Sequence, residues 1–376
     1  MNILITGICG FVGSTLAKSL AAESWVSSVV GIDNLSRRGS EGNRKPLEQL
    51  GIRVLHGDVR CASDVEALPK ADWVIDAAAN PNVLAGIDGH TSSRQLLEHN
   101  LAGTINLLEY CKIRGGGFCL LSTSRVYSIP GLANLQMRVV GDAFAPDPEQ
   151  NFPSGISVAG VSESYSTAPP VSLYGSTKVT SEHLALEYGE TFGFPVWINR
   201  CGVMAGAGQF GHPAQGIFAY WIHSFRERKP LKYIGFGGQG YQVRDCLHPR
   251  DLVPLLYQQL TARRETFAST DCGTVETDHT NSRPFVNNAR VINVGGGLMN
   301  SVSLTQLSSW CRARFAPMLI ENDQENRRFD IPWLVMDATR SYQQFNWKPT
   351  TNLDSILSEI SDFAEENPNW LSLSRN

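Results

Sequence analysis

Residues 1–16, MNILITGICGFVGSTL, decide the fold. Residues 1–6 are a short apolar run with β-branched members, the pattern of a strand buried on both faces of a parallel sheet. Gly7, Gly10 and Gly13 follow as G-x-x-G-x-x-G with Phe11 and Val12 inside the turn, and residues 14–24 read as a helix with Leu16 and Leu20 one turn apart. A strand, a glycine turn and a helix in that order bring backbone N–H groups and a positive helix end to one point, which suits a pyrophosphate. Asp33-Asn34 closes the second predicted strand (28–32), with Asp33 twenty residues beyond Gly13. A carboxylate there accepts both ribose hydroxyls of an adenosine and repels a 2′-phosphate, so NAD is expected over NADP, although Arg37 and Arg38 follow closely. Asp58-Val59, after the third predicted strand, either borders the adenine or caps a helix. Glycine triplets also make ordinary turns. The flanking strand, helix and acid favour a dinucleotide here.

Working outward, further strands are expected at 52–55, 73–77, 118–122 and 196–199. Long helices are expected at 93–114, with Leu97, Leu101, Ile105 and Leu108 on one face, and at 174–192, ended by Gly193. Strands alternating with helices imply an α/β fold, a Rossmann-type doubly wound parallel sheet. The alternation ends near Arg200. Irregular, aromatic and glycine-rich chain then runs to helices at 304–314 and 353–365. The expected division is a dinucleotide-binding domain over 1–200, with contributions from about 246–256 and 291–296. The remainder, 201–245 and 297–376, forms a smaller C-terminal substrate lobe. Segments 128–172 and 261–290 read as insertions or long loops, the second polar and a candidate for mobility.

Composition narrows the partners. With 32 Lys plus Arg against 36 Asp plus Glu, the charge is −4, which disfavours nucleic acid. No apolar run approaches the roughly 20 residues of a membrane span, and the N-terminus lacks the basic start of a signal peptide. The eight cysteines have no C-x-x-C spacing. Reduced thiols in a cytoplasmic protein are the expectation, with neither a disulfide frame nor a metal site. His212 and His248 lack companions at ligand spacing.

Tyr174 and Lys178 form Y-x-x-x-K, so both project from one helix face. A phenol is a poor base at neutral pH, and a neighbouring ammonium favours its ionised form. Thr123, just past the fifth predicted strand in L-S-T-S-R-V-Y, is placed to bond a reacting oxygen and relay its proton with Tyr174. Y-x-x-x-K alone also occurs by chance. The three together surround one reacting oxygen with a hydrogen-bonding hydroxyl, a proton carrier and a cation.

These motifs resemble the extended short-chain dehydrogenase/reductases of the NAD-dependent nucleotide-sugar epimerase and dehydratase type. The resemblance extends to Ala77-Ala78-Ala79, to Asn100 with Gly103-Thr104, and to R-D-x-x-H-x-x-D at residues 244–251. It continues through N-V-G-G-G at 293–297 and F-N-W-K-P at 345–349. It implies that Ala77, Ala78, Ala79 and Asn100 lie in the cofactor site, that Asn100 supports the active-site lysine, and that Arg244 binds the diphosphate of a nucleotide sugar. Arg244's planar fork suits phosphate; a salt bridge to Asp245 is the competing reading. A 4,6-dehydratase of this type carries Asp-Glu after the threonine, where this chain has Ser124-Arg125, and a decarboxylase keeps Glu at the Arg125 position. Epimerisation needs only the Thr/Tyr/Lys set. Arg125, the insertion before S-L-Y-G-S-T-K, and G-F-G-G-Q-G-Y-Q-V-R-D at 235–245 resemble the CDP-paratose (CDP-tyvelose) 2-epimerase type. Val203, where 4-epimerases commonly carry Asn, weighs against UDP-sugar 4-epimerisation. A 4-ketoreductase and a non-catalytic dinucleotide-binding member stand as alternatives. Arg125, Gln209, Gln215 and Tyr233 are the further candidates for nucleotide-sugar contact, with ordinary loop packing the competing reading for the last three. The two long helices are expected to pair with a second copy as a homodimer unless their apolar faces are used on the sheet.

Overall fold

Seven parallel strands make the main sheet in the computed structural model: β1 (Asn2–Thr6), β2 (Ser28–Asp33), β3 (Arg53–His56), β4 (Trp73–Asp76), β5 (Gly117–Thr123), β6 (Val196–Cys201) and β7 (Val291–Val294). Their spatial order is β7-β6-β5-β4-β1-β2-β3. The structure describes residues 1–373 apart from 88, 90, 91, 214 and 263–289. The expected loop at 261–290 therefore lies, except for its ends, outside the described residues.

Side chains alternate across the sheet, so Ile3 and Ile5 pack on one face with Leu16 and Leu20, while Leu4 and Val74 pack on the other with Leu107, Leu108 and Phe118. Burial on both faces explains why these strands read as continuous apolar runs. The strand order reverses between β1 and β4, and a crevice opens beyond their C-terminal ends. Thr6 closes its floor. Its hydroxyl donates to Asp76 Oδ1 at 2.7 Å and accepts the amides of Ala77 and Ala78 at 3.1 and 3.0 Å.

Helix α1 (Phe11–Ala21) begins three residues before the start expected from apolar spacing, because Gly10 stands extended (φ −69°, ψ 169°) as its N-cap. No side chain caps this end, so its first amides face the crevice. The helix expected at 93–114 is a continuous run interrupted by a π turn at Glu98–Ala102, with α2 (Gly103–Arg114) beyond it. A π turn carries an extra residue and rotates the helix beyond it. The expected face is split as a result: Leu108 is buried, whereas Leu97 and Ile105 are 44% and 36% exposed. Helix α3 (Ser172–Phe192) covers the neighbouring part of the sheet and ends at Gly193 in the left-handed conformation.

Beyond β6, the strand Val243–Leu247 pairs in parallel with Val203–Met204 and Trp333–Leu334 and antiparallel with Ser301–Ser303. A second pair joins Leu231–Ile234 to Ile320–Asp323. Helices α4 (Ile217–Glu227), α5 (Leu304–Arg314) and α6 (Leu353–Glu366) enclose a core containing Phe218, Trp221, Ile222, Leu307, Ile356 and Ile360. Segment 128–172 is not a loose insertion. It contains two short hairpins, Met137–Val140 with Ala143–Pro146 and Ile156–Ser157 with Gly160–Val161. Leu132, Ile156, Val161 and Tyr165 pack there against Trp333, Leu334 and Met336. Its order comes from partners far along the chain, which local periodicity does not register.

Candidate active site

One cavity of about 1050 Å³ runs from the glycine turn, across the ends of β1, β4, β5 and β6, to the pair Leu231–Ile234 and Ile320–Asp323. At its sheet end the glycines fit a pyrophosphate by what they lack. Gly7 sits at φ +61°, and a Cβ on Gly13 would lie 2.1 Å from the Gly7 carbonyl oxygen. A Cβ on Gly10 would meet the Gly7 oxygen at 3.1 Å and nothing else within 4 Å, so the space a phosphate would use stays open. Asp33 is fixed at the end of β2 by accepting the amides of Cys9 (2.9 Å) and Leu35 (2.8 Å). Burial raises its pKa, and those backbone donors oppose the rise. Phe11, Val12, Asn34, Val59 and Ala77–Ala79 also line this end.

Asp58 lines it too, but its carboxylate is bound by Arg60 at 2.6 Å and by Asn34 Nδ2 at 3.0 Å. Arg60's hydrogen bonds hold that carboxyl well below the usual range. Arg37 lines the cavity with its guanidinium engaged by other protein groups. It donates to Gln215 Oε1 (3.2 Å) and the Phe210 carbonyl (3.4 Å), with its guanidinium 5.6 Å from the Phe210 ring centre. Gln215, expected at the sugar, thus meets the cofactor side of the cavity. Asn100 is 1% exposed and does not line the cavity. It accepts the Asn80 amide at 2.8 Å and donates to the Asn80 carbonyl (3.1 Å) and Thr177 (3.2 Å), so it joins the loop after β4 to α3. Its placement in the π turn makes that reach. Direct cofactor contact is corrected to support.

Thr123, Tyr174 and Lys178 meet in the cavity wall where β5 and α3 converge. Tyr174 lies beside Thr123 in this wall; burial pushes the phenol up to about 12, while the Thr123 hydroxyl and the Arg125 charge pull it down. Lys178, 2% exposed, donates to the Leu121 carbonyl at 3.2 Å. Burial lowers its pKa, against the attraction of Asp76 and Glu182. Glu182 in turn accepts from Ser122 (2.5 Å) and pairs with Arg200 (2.7 Å), locking α3 to β5 and β6.

Arg244 also lines the cavity, and its partner is not Asp245. Its guanidinium donates to Asp330 Oδ1 and the Ile331 carbonyl, both at 2.9 Å. Asp245 follows Arg244 on a strand whose side chains alternate, and its carboxylate accepts the Gly297 amide at 3.2 Å. Gln209 lines the wall with Nε2 on the Met204 carbonyl (2.7 Å) and Oε1 without a hydrogen-bond partner. Tyr233 is corrected outright. It lies outside the lining, bonds Ser308 at 2.7 Å and stacks behind Trp221 at 5.6 Å and 17°, while Trp221 itself faces the cavity. Leu231, Lys232 and Ile234 of the same strand line the cavity. His248 accepts the Arg250 amide at 3.1 Å and is structural. Among the described residues no His/Cys/Asp/Glu group suits a metal, and no helix is long and apolar enough to cross a membrane.

Sequence reading missed Asn80, Trp221, Arg327 and Asp330. Trp221 carries a usable signal, as an aromatic on an amphipathic helix. Asp330 and Arg327 carry none, because only the fold brings them to the cavity.

Residues 3–271 match the profile described as the NAD dependent epimerase/dehydratase family. Among curated proteins, the chain is 28% identical to CDP-paratose 2-epimerase of Salmonella typhi, covering 97% of this chain and 99% of that one. It is 24% identical to dTDP-glucose 4,6-dehydratase of Shigella flexneri, covering 99% and 94%. Among solved structures, UDP-glucuronic acid 4-epimerase from Bacillus cereus, in complex with UDP-glucuronic acid and NAD, superposes with a TM-score of 0.73 at 24% identity, covering 97% and 99%.

Proposed function

Because the chain belongs to the NAD dependent epimerase/dehydratase family, we propose that it is a nucleotide-sugar epimerase working through a transient keto-sugar, of the CDP-paratose 2-epimerase kind. The observation that carries this reading is the site around Tyr174: Thr123 and Lys178 are in place, and Ser124 and Arg125 stand where a dehydratase needs its acid and base. The carboxylates lining the cavity are Asp33, Asp58, Glu321, Asp323 and Asp330 among the described residues. The first two are at the cofactor end, the next two at the far end of the lobe, and Asp330 is bound by Arg244. The 28% relative supports the 2-epimerase over the other activities.

NAD, when bound, supplies reversible acceptance of a hydride from a sugar carbon. The glycine turn and the bare N-terminus of α1 would hold its pyrophosphate, and Asp33 with Asn34 its adenosine ribose. Tyr174 takes the proton of the sugar hydroxyl at its phenol oxygen and returns it after the keto-sugar turns over. Thr123 holds the same oxygen, Lys178 favours the phenolate, and Arg244 holds the diphosphate so that the sugar can rotate about it. Labour is divided accordingly: residues 1–200, with about 246–256 and 291–296, hold the cofactor, and 201–245 with 297–376 hold the nucleotide sugar.

A homodimer fits the outer surface. Leu97, Ile105, Ile113 and Phe192 are exposed on the run that ends in α2 and on α3, an apolar face not used on the sheet. Mass measurement in solution, with Ile105→Glu as the disrupting variant, tests it. The seven described cysteines are free thiols, which suits a reducing, cytoplasmic setting. The activity is tested by NMR of products after incubation with CDP-paratose and a panel of UDP-, GDP- and dTDP-hexoses. Inversion at C2 of CDP-paratose is expected. Inversion at C4 of a UDP-hexose with none of CDP-paratose refutes the 2-epimerase.

A further inference from the structure

Arg125 occupies a position that the mechanism above leaves unused. It lies on the short turn Ser124–Val126 directly after Thr123 and lines the same cavity wall as Tyr174. The turn and the first turn of α3 are in backbone contact. A Cβ built on Gly175 would sit 2.4 Å from the Arg125 carbonyl oxygen, so residue 175 must be glycine for Tyr174 and Arg125 to stand side by side. Among the described residues, the Arg125 guanidinium makes one long hydrogen bond, to the Phe329 carbonyl at 3.4 Å.

The charges around Tyr174 are unevenly answered. On α3, Lys178 faces the carboxylates of Asp76 and Glu182, and Glu182 is paired with Arg200. Cys201, at the end of β6, is held as a neutral thiol by burial. On the other side Arg125 faces Arg244 and Asp330, and Asp330's carboxylate is bound by Arg244. Among the described residues, Arg125 is thus a cation on the Tyr174 wall whose neighbouring carboxylate, Asp330, is already bound by Arg244.

We propose that Arg125 is a positioning residue for proton transfer: its guanidinium, set beside Tyr174 by the turn after Thr123, supplies the positive charge that favours the phenolate, alongside Lys178. Physically, a cation in a desolvated wall stabilises a nearby anion far more than it would in water. Lys178, already facing two carboxylates, has less of that effect left for the phenol. The claim rests on Tyr174 being the base of the proposed epimerase, but its test uses no sugar.

The test is ultraviolet difference absorbance of the NAD-loaded protein between pH 6 and 10.5. Each variant is compared with its own Tyr174→Phe counterpart, so that only the Tyr174 phenolate is read. Arg125→Gln should lower the Tyr174 phenolate fraction about tenfold at a given pH, a shift of about one pH unit. Arg125→Lys should restore most of it. Asp330→Asn, which removes the negative charge facing Arg125, should move the fraction the opposite way and stands in if Arg125→Gln does not fold. Unchanged phenolate fractions in these variants overturn the proposal. Once a substrate is found, a raised KM with an unshifted pH–rate profile in Arg125→Gln overturns it too, since that marks a sugar anchor. A failed search for a substrate touches only the functional assignment and leaves the absorbance result standing.

Discussion

The glycine turn and the lobe wall face each other across one cavity, yet they are built in different ways. At the turn, Gly7, Gly10, Gly13 and Asp33 lie within 27 residues of one another, and each is positioned by neighbours in β1, α1 or β2. At the lobe wall, Arg244 is held by Asp330, 86 residues further on, and Trp221 by Ser308, 87 residues further on. The difference teaches where local pattern can be trusted. A site made of contiguous chain carries its own geometry, whereas a site made of distant pieces inherits its geometry from packing.

The largest effect should come where the two halves meet. Tyr174→Phe removes the proton carrier and should lower turnover by about 10³-fold, within the usual range for general acid–base groups, with bound NAD retained. Activity close to wild type would end the proposed mechanism. Gly13→Ala attacks the contiguous half: its Cβ would sit 2.1 Å from the Gly7 oxygen. It should cost about 3 kcal/mol and most of the NAD occupancy, read by thermal unfolding and by absorbance of released cofactor. If the variant holds NAD normally, the turn is not as tight as described. Arg244→Leu attacks the other half and should raise KM by about 100-fold while leaving NAD bound, because it removes a buried cation and strands Asp330. An equal loss of NAD would erase the contrast between halves.

Acid should weaken the lobe first. Burial holds His223, on α4, down at about 4 from an ordinary 6.5. Between pH 6.5 and 4 the unfolded chain takes up a proton that the fold refuses, so stability falls as pH falls through that window. His223→Leu should flatten the fall by roughly 1–3 kcal/mol in denaturant titrations at pH 4.5 and 7.5. The same slope in both proteins would contradict the buried, neutral imidazole. The smallest effect is expected from Tyr233→Phe. Losing its bond to Ser308 should cost about 1 kcal/mol and leave KM unchanged, whereas a base-stacking or base-bonding residue would change KM.

Much of the sheet was legible because parallel strands are buried on both faces and their apolar runs need no partner to be recognised. β1, β2 and β5 lie within a residue or two of where pattern put them. The α1 start was three residues off because an uncapped helix after an extended glycine leaves no apolar periodicity at its first turn. The face of the 93–114 helix was misread because apolar spacing assumes a regular 3.6-residue period, and the π turn that carries Asn100 breaks it. Segment 128–172 looked like loop because its hairpins are short and their core partners lie near residues 333–336. In the site, spacing and strand-end position singled out Thr123, Tyr174 and Lys178, and the fold brings all three into one cavity wall. Tyr233 was misread, since one step along a strand reverses the side it faces.

By itself the sequence determined the family, the dinucleotide turn and the helix face bearing Tyr174 and Lys178, because each depends on residues close together in the chain. Tertiary structure alone decided that Arg244 pairs with Asp330, that Trp221 and not Tyr233 faces the cavity, and that Arg125 shares the cavity wall with Tyr174. Those outcomes depend on which distant strands and turns come to lie side by side, and packing sets that only when the whole chain is folded.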